Sequence, residues 1–289
     1  MFERVARIDL VLGAMVLAAT LIALAAGRQG GRFRGLPGWA GFWIVFAGIL
    51  VALSRLSPWI GFTLLGLLMF GALRAFFFVA PVRQRDRYAI LASYLAVPFA
   101  LWPAYLGSQD TFLAAVPVTL FLLIPVFLSI GPSERGLLDA MGRTLLGVLF
   151  FVFCIAHLGL LVHEPQPALP QLFAILVIAA ELPQRLLWRS HAERGWLKMM
   201  LGMLLGAVFA VGLGFWLGPQ CGLVEEDAGR AGLLVAIAAT LGAQVSDAVR
   251  QDLALSASSS SLGRGAFLTR SVPAVYAAPV FFHYLNHFA

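Results

Sequence analysis

Acidic residues within or next to long apolar segments are the first candidates for chemistry in this chain. Asp247 precedes Arg250 by three residues, so a helix would let the two pair across one turn. Glu181 lies just before Pro183 and Arg185 at the end of another apolar segment. Charged groups inside a membrane are costly and are functional candidates by default. For Asp247 the sequence favours a helix end that reaches water over a binding site. For Glu181, a structural role at a helix break and ligand binding stay equally open.

The histidines are weaker candidates. His157 lies in the middle of an apolar segment, where a neutral imidazole hydrogen-bonded to a neighbouring helix is favoured over a ligand or proton relay. His283 and His287 are four residues apart, a spacing that can place two imidazoles on one metal ion. No third ligand accompanies them in the sequence, so an interfacial position is favoured. The two cysteines, Cys154 and Cys221, lack the clustered spacing of a metal site or disulfide framework.

The composition fixes the environment in which these groups act. Of 289 residues, 61% are hydrophobic and 12% are charged, whereas a soluble domain carries about a quarter charged residues. The sequence predicts an all-α, polytopic integral membrane protein with about nine to ten transmembrane helices. It predicts a single membrane domain over 1–289, with N-terminal helices in 1–165 and a C-terminal half in 166–289. Apolar segments lie near residues 8–27, 38–54, 59–80, 88–106, 111–130, 137–162, 168–184, 198–217, 231–249 and 272–288.

The basic residues predict the orientation of these segments. With the N-terminus outside, 14 of the 20 basic residues fall in cytoplasmic loops and 4 fall outside, as the positive-inside rule requires. We therefore expect a multi-pass protein of a bacterial inner membrane, an uncleaved first span and a cytoplasmic loop at 250–271. The net charge is +6. We expect the basic residues behind it to set the topology and to contact anionic lipid rather than to bind nucleic acid.

The C-terminal half carries motifs in a recognisable order. The run GRGAFLTRSV from Gly263 to Val272 is followed by AAPVFFHY from Ala277 to Tyr284. This resembles the phosphatidate cytidylyltransferases, whose signature ends in G-H-G-G-x-x-D-R-x-D and runs into a final helix of the A-P-V-F-F type. The named positions of the family's upstream G-D-x-x-x-S-x-x-K-R-D segment hold Gly242, Ala243, Asp247, Arg250, Gln251 and Asp252. The positions of its S-P-x-K-T-x-E-G motif hold Gly195, Trp196, Lys198, Met199, Leu201 and Gly202, so that the Ser, Pro, Thr and Glu are lost and Lys198 and one Gly are kept. The positions of its E-x-N-D motif hold Glu181, Pro183 and Gln184.

The departures from these motifs concern the metal ligands. Thr269 and Val272 replace the two aspartates of D-R-x-D, and Ala243 replaces the aspartate of G-D. Valine cannot bind magnesium, and threonine offers only a neutral oxygen to a hard cation. The acids that remain, as tentative catalytic residues or substitute ligands, are Asp247, Asp252 and Glu181. The basic residues that remain for phosphate or lipid, and that we expect to converge near one membrane face, are Lys198, Arg250, Arg264 and Arg270.

The resemblance implies the conversion of CTP and phosphatidate to CDP-diacylglycerol and pyrophosphate. The lost aspartates predict a degenerate member, with little or no activity, that binds phosphatidate or another anionic phospholipid, as a homodimer or beside another lipid enzyme. One alternative is an active enzyme that binds CTP with magnesium held by the substitute acids. Another is a small-solute transporter, which the absence of internal repeats disfavours.

Overall fold

A computed structural model of the protein describes residues 2–28, 33, 35–80, 87–130, 136–166, 168–187, 196–253 and 266–288. Within these residues the chain forms helices and no strand, because a helix pairs its backbone groups within one segment when water is absent. The helices are α1 (Phe2–Arg28), α2 (Leu36–Arg55), α3 (Pro58–Val79), α4 (Arg87–Tyr105), α5 (Gln109–Ser129), α6 (Leu137–Leu160), α7 (Leu169–Leu187), α8 (Trp196–Leu217), α9 (Glu225–Asp252) and α10 (Ala266–Phe288).

The described residues contain nine helices long and apolar enough to cross a membrane, namely α1 to α9. The predicted all-α, polytopic fold is therefore confirmed. The tenth helix, α10, begins at Ala266, six residues before the start of the predicted apolar segment, and contains Arg270, Pro273 and Pro279. It packs against α9, α7 and α6, so its less apolar surface is turned largely toward protein.

Two helices depart from simple geometry. The middle of α6, Leu149–Cys154, is a π-helix between α-helical stretches, and α8 ends in a 3-10 turn at Gly218–Cys221. Close packing elsewhere depends on small residues, as is common between membrane helices. At Gly242 of α9 a Cβ atom would lie 2.7 Å from the Cβ of Tyr276 on α10. The approach of α9 to α10 therefore requires glycine at this position.

Helix α7 forms the centre of the bundle. Of its most apolar stretch, 78% is buried, compared with 17% in α1 and 22% in α5. It packs against α1, α2, α8, α9 and α10. The weakest apolar segment in the sequence is thus the most enclosed helix. Because protein rather than lipid surrounds it, α7 can carry the buried polar side chains of Gln171, Glu181 and Gln184.

Contacts between helices show which helix ends lie together. Arg55 at the end of α2 binds Asp9 near the start of α1 at 2.8 Å, and Tyr284 near the end of α10 donates to Asp227 at the start of α9. At the other end of the bundle, α2 and α10 begin at Leu36 and Ala266, while α7 and α9 end at Leu187 and Asp252. We call this the basic end, and the end that holds Asp9, Asp227 and Tyr284 the opposite end.

Candidate functional site

The carboxylate of Glu181 is the buried centre of the basic end. Its side chain is 3% exposed. The indole N–H of Trp39, in the first turn of α2, donates to Oε2 of Glu181. Nε of Arg185 donates to the same oxygen over 2.8 Å, and the Arg185 guanidinium lies over the Trp39 ring. The helix break expected at Pro183 is absent, since α7 continues to Leu187 and thereby places Glu181 and Arg185 on one face.

Arg185 also ties α7 to α10. Its Nη2 donates to the backbone carbonyl of Thr269 over 2.9 Å. In a regular helix that carbonyl would accept from the N–H four residues later, but residue 273 is proline and has no N–H. The arginine therefore satisfies a backbone group that the α10 sequence leaves without its helical partner. One guanidinium holds an acid on its own helix and a carbonyl on another.

Arg270 brings a second guanidinium against the start of α2. Its guanidinium packs on Gly38 so closely that a Cβ atom at that position would overlap it. The N-cap residue of α2, Gly35, gives no side-chain cap, and a proline follows it in the first turn. Arg185 donates to the carbonyl of Thr269, the residue before Arg270, so both guanidiniums lie beside the same turn of α10. Two guanidiniums and the one carboxylate of Glu181 leave a net positive charge beside a helix N-terminus, and this favours an anion.

Asp247 and Arg250 form the pair that their spacing predicts. The carboxylate and guanidinium are 3.6 Å apart across one turn of α9. Both residues are buried, so the expectation that this helix end reaches water is wrong for them. The hydroxyl of Ser246 beside them is buried and makes no hydrogen bond within the described residues. Asp252, the last residue of α9, is exposed.

The predicted site residues are brought together in part. Glu181, Asp247, Arg250 and Arg270 all lie at the basic end, on α7, α9 and α10. Arg264 and the Lys198 side chain lie outside the described residues, so the predicted convergence of the four basic residues stays a prediction. Asp247 and Glu181 each have an arginine partner. In the part of the chain that the structure describes, no three His, Cys, Asp or Glu side chains can hold a metal ion together.

The positions that replace the D-R-x-D aspartates do not suit magnesium. Thr269 has a buried hydroxyl without a hydrogen-bond partner in the described residues. Val272 is buried, and its backbone carbonyl lies close to Gly242 in the α9 contact. A magnesium ion needs several oxygen ligands in near-octahedral geometry, and these two positions supply one neutral oxygen. The side chains at these two positions therefore do not fit the metal that the resemblance implies.

Two residues of the site escaped the sequence analysis. Arg185 had a signal, because it follows Glu181 by four residues and that spacing predicts a pair on one helical face. Trp39 had no signal, because 142 residues separate it from Glu181 in the chain. For His157, the favoured bond to a neighbouring helix is wrong. Its Nδ1 lies 2.9 Å from the carbonyl of Phe153 on its own helix.

Comparison with known proteins gives a relative but no functional name. No family model matches the sequence, and no solved structure matches it. A protein of Escherichia coli strain K12 called "Uncharacterized protein YnbB" is 24% identical over 259 residues, which cover 83% of this chain and 85% of that protein. The likeness thus runs through the N-terminal helices and the C-terminal half alike. The chain is similar in sequence to this protein over most of its length.

Proposed function

We propose that this membrane protein binds the phosphate headgroup of phosphatidate or another anionic phospholipid at its basic end. The observation that carries the proposal is the pair of guanidiniums beside the first turn of α2, with Arg185 over the Trp39 ring and Arg270 against Gly38. Arg185 lies in the last turn of α7, and Trp39 lies in the first turn of α2. The ends of spanning helices are where we expect lipid phosphates. The basic end would face the cytoplasm of a bacterial inner membrane, as the distribution of basic residues predicts.

The chemistry of the two arginines supports a phosphate ligand. Guanidinium groups present planar pairs of donors that match phosphate oxygens. Arg185 is held in one orientation by Glu181 and the Thr269 carbonyl, so little of its side-chain freedom remains to be lost on binding. The first-turn amides of α2 add a partial positive charge. A cationic side chain near an anionic membrane surface contributes about 1 kcal/mol.

We propose further that the protein is a degenerate relative of the phosphatidate cytidylyltransferases with little or no nucleotidyltransfer activity. The motif order supports the relationship, and the replacements at Thr269, Val272 and Ala243 support the loss of activity. Phosphoryl transfer from a nucleotide depends on metal ions that neutralise the phosphate oxygens. Magnesium and CTP would be needed only if Asp247, Asp252 and Glu181 acted as substitute ligands. A homodimer, or a complex with another lipid enzyme, remains part of the proposal.

Lipid retention by the purified protein tests the first part. The protein is extracted into micelles that contain equal amounts of phosphatidate and phosphatidylcholine, with EDTA, and bound lipids are counted by native mass spectrometry. We expect phosphatidate to be retained in preference, and EDTA to leave that preference unchanged. Equal retention of the two lipids would contradict the proposed headgroup site.

A nucleotide titration tests the second part. CTP is added to the detergent-solubilised protein with and without magnesium, and CDP-diacylglycerol is measured after phosphatidate is supplied. We expect no magnesium-dependent CTP binding, no product, and no recovery in a Thr269→Asp variant. A single carboxylate there would be expected to pair with arginine rather than recruit a cation. Tight magnesium-dependent CTP binding by the unmodified chain would establish the active-enzyme alternative instead.

A further inference from the structure

Two arginines lie within spanning helices rather than at their ends. They are Arg74 of α3 and Arg143 of α6. Helix α3 has 22 residues, so it is about 33 Å long and only slightly longer than the hydrocarbon thickness of a bilayer. Arg74 precedes the last residue of α3, Val79, by five residues, which places its Cα atom about 7 Å inside the helix end. A charged residue at this depth is a functional candidate.

Arg143 has the compensation that a charge at this depth needs. Its Nη2 lies 2.7 Å from Oδ2 of Asp139, four residues earlier on α6. One turn further along α6, Gly147 packs against Phe76 near the end of α3, so the first half of α6 lies beside the last turns of α3. The Cα–Cβ bonds of a helix tilt toward its N-terminus. The Arg143 side chain therefore starts in the direction of the membrane surface nearest to it.

Arg74 has neither an acidic partner nor this favourable direction. Helix α3 follows α2 after a two-residue connection and therefore begins at the opposite end, so its Cα–Cβ bonds tilt away from the membrane surface nearest to Arg74. The residues three and four positions from Arg74 are apolar, namely Phe70, Gly71, Phe77 and Phe78. None of the ion pairs within the described residues includes Arg74.

The surface around Arg74 is apolar and faces outward. Arg74 is exposed, and so are the large apolar residues that share its side of α3, namely Leu67, Phe70 and Phe78. Helix α4 packs beside α3 and adds exposed leucines at 91 and 95. In a spanning helix such an outward apolar surface contacts lipid chains. Arg74 is thus a single charge on a lipid-facing surface.

Tyr94 of α4 is a second polar group at the level of Arg74. Its ring centroid lies 4.6 Å from that of Phe70 and 6.3 Å from that of Phe77. These two phenylalanines come one turn before and one turn after Arg74 on α3. A tyrosine hydroxyl can donate a hydrogen bond to an anionic oxygen, so Tyr94 can assist the arginine.

The surrounding bilayer supplies one kind of anion that can compensate this charge. An unpaired arginine facing hydrocarbon is costly, and local thinning of the bilayer lowers that cost by bringing polar groups inward. Among those groups, phosphate oxygens match the planar donors of a guanidinium. Because no acid pairs with Arg74, the site carries one net positive charge. It therefore favours an anionic phospholipid over a zwitterionic one.

We propose that Arg74 and Tyr94 bind the phosphate of an anionic phospholipid on the outer surface of α3 and α4, with its acyl chains against the exposed apolar residues of these helices. The site is separate from the headgroup site at the basic end, which α2, α7 and α10 form. It does not depend on the function proposed for that end.

Photocrosslinking with two lipids locates the site. The purified protein is placed in micelles that contain phosphatidylglycerol or phosphatidylcholine, each with the same diazirine-bearing acyl chain. After illumination and chymotryptic digestion, which does not depend on arginine, mass spectrometry measures the labelling of α3 and α4. In the unmodified protein we expect phosphatidylglycerol to label this surface about five-fold more than phosphatidylcholine, as one cation near an anionic lipid predicts.

Three variants test the assignment to Arg74. We expect Arg74→Gln to label equally with the two lipids on α3 and α4. Arg87→Gln is the matched control, because it removes an exposed arginine at the nearby start of α4, and it should keep the preference. Arg270→Gln at the basic end should keep it as well.

The contradicting results are equally definite. Equal labelling by the two lipids in the unmodified protein would overturn the proposal, and this result does not depend on the folding of any variant. A preference that survives in Arg74→Gln, or that disappears in Arg87→Gln, would overturn the assignment to Arg74. Loss of the preference in Arg270→Gln would show that the two sites are not separate. Failure of phosphatidate to bind at the basic end would leave the labelling of α3 and α4 unchanged.

Discussion

The two ends of the bundle use the same residue types in opposite ways. At the basic end, Glu181 and Arg185 are an i,i+4 pair at 2.8 Å whose side chains are 3% and 21% exposed. At the opposite end, Glu226 and Arg230 are an i,i+4 pair at 3.1 Å whose side chains are 74% and 63% exposed. Exposed pairs contribute little to stability, whereas a buried pair is costly to break. Burial at the basic end therefore fixes an arginine in place, and this is what a headgroup site needs.

The charge distribution separates the two ends as well. By their place in the sequence, the 14 acidic residues divide evenly between the loops and helix ends of the two sides. Of the 20 basic residues, 14 belong to loops and helix ends at the basic end and 4 to the opposite side. Surplus positive charge thus accompanies the fixed arginines. Neither feature alone would distinguish a lipid site from a topology signal. Arg185 and Arg270 are themselves among these 14, and their fixed contacts, which a topology signal does not require, favour the lipid site.

The largest effect is expected from Glu181→Gln. Removing the carboxylate leaves the partly buried Arg185 charge without its partner, which should cost about 3 kcal/mol. The matched change, Glu226→Gln at the opposite end, should cost less than about 1 kcal/mol. Thermal unfolding in detergent measures both. A Glu181→Gln/Arg185→Gln double variant should recover part of the loss, because it removes both charges. Equal losses for Glu181→Gln and Glu226→Gln would show that burial does not distinguish the ends.

A smaller loss is expected from Arg185→Lys. Lysine keeps the charge, but its single ammonium cannot reproduce the fixed fork with which Arg185 reaches both Glu181 and the Thr269 carbonyl. Leaving that carbonyl unsatisfied should cost about 1–2 kcal/mol in the same unfolding measurement. Arg230→Lys is the control, and we expect it to be nearly neutral. Equal thermal stabilities of Arg185→Lys and Arg230→Lys would contradict the bridging role of Arg185.

Gly38→Ala should act on binding more than on stability. The new Cβ atom would overlap the Arg270 guanidinium and displace it from the first turn of α2. We expect phosphatidate binding to weaken about five-fold, which corresponds to about 1 kcal/mol for a cation near the surface. Gly41→Ala, one turn further along, meets no atom within 4 Å and should leave binding unchanged. Unchanged binding in Gly38→Ala would place the headgroup away from Arg270.

Cysteine labelling determines which end faces the cytoplasm. In a background without Cys154 and Cys221, single cysteines replace Glu226 at the opposite end and Asp252 at the basic end, both of which are exposed. A membrane-impermeant maleimide added to intact cells should label position 226, and should label position 252 only after permeabilisation. The reverse pattern would overturn the predicted orientation and place the headgroup site in the outer leaflet.

The sequence predicted the helical fold well because apolar runs of spanning length leave the chain few other structures. It did not predict that α7, the weakest apolar segment, is the most enclosed helix. Hydropathy measures suitability for lipid, and this helix is enclosed by protein. It also predicted the Asp247–Arg250 pair, which depends only on helical spacing. It missed the Trp39–Glu181 contact and the role of the Thr269 carbonyl, because both depend on packing between distant segments. The π-helical turn before His157 likewise has no local sequence signal.

Phosphatidate affinity in magnesium-free buffer with EDTA, compared between arginine variants of the two ends, tests the account most directly. The dissociation constant is measured for the unmodified protein, for Arg270→Gln at the basic end and for Arg230→Gln at the opposite end. We predict that Arg270→Gln weakens binding about five-fold, while Arg230→Gln leaves it unchanged. Equal weakening by both variants, or binding that requires magnesium, would contradict a metal-free headgroup site at the basic end.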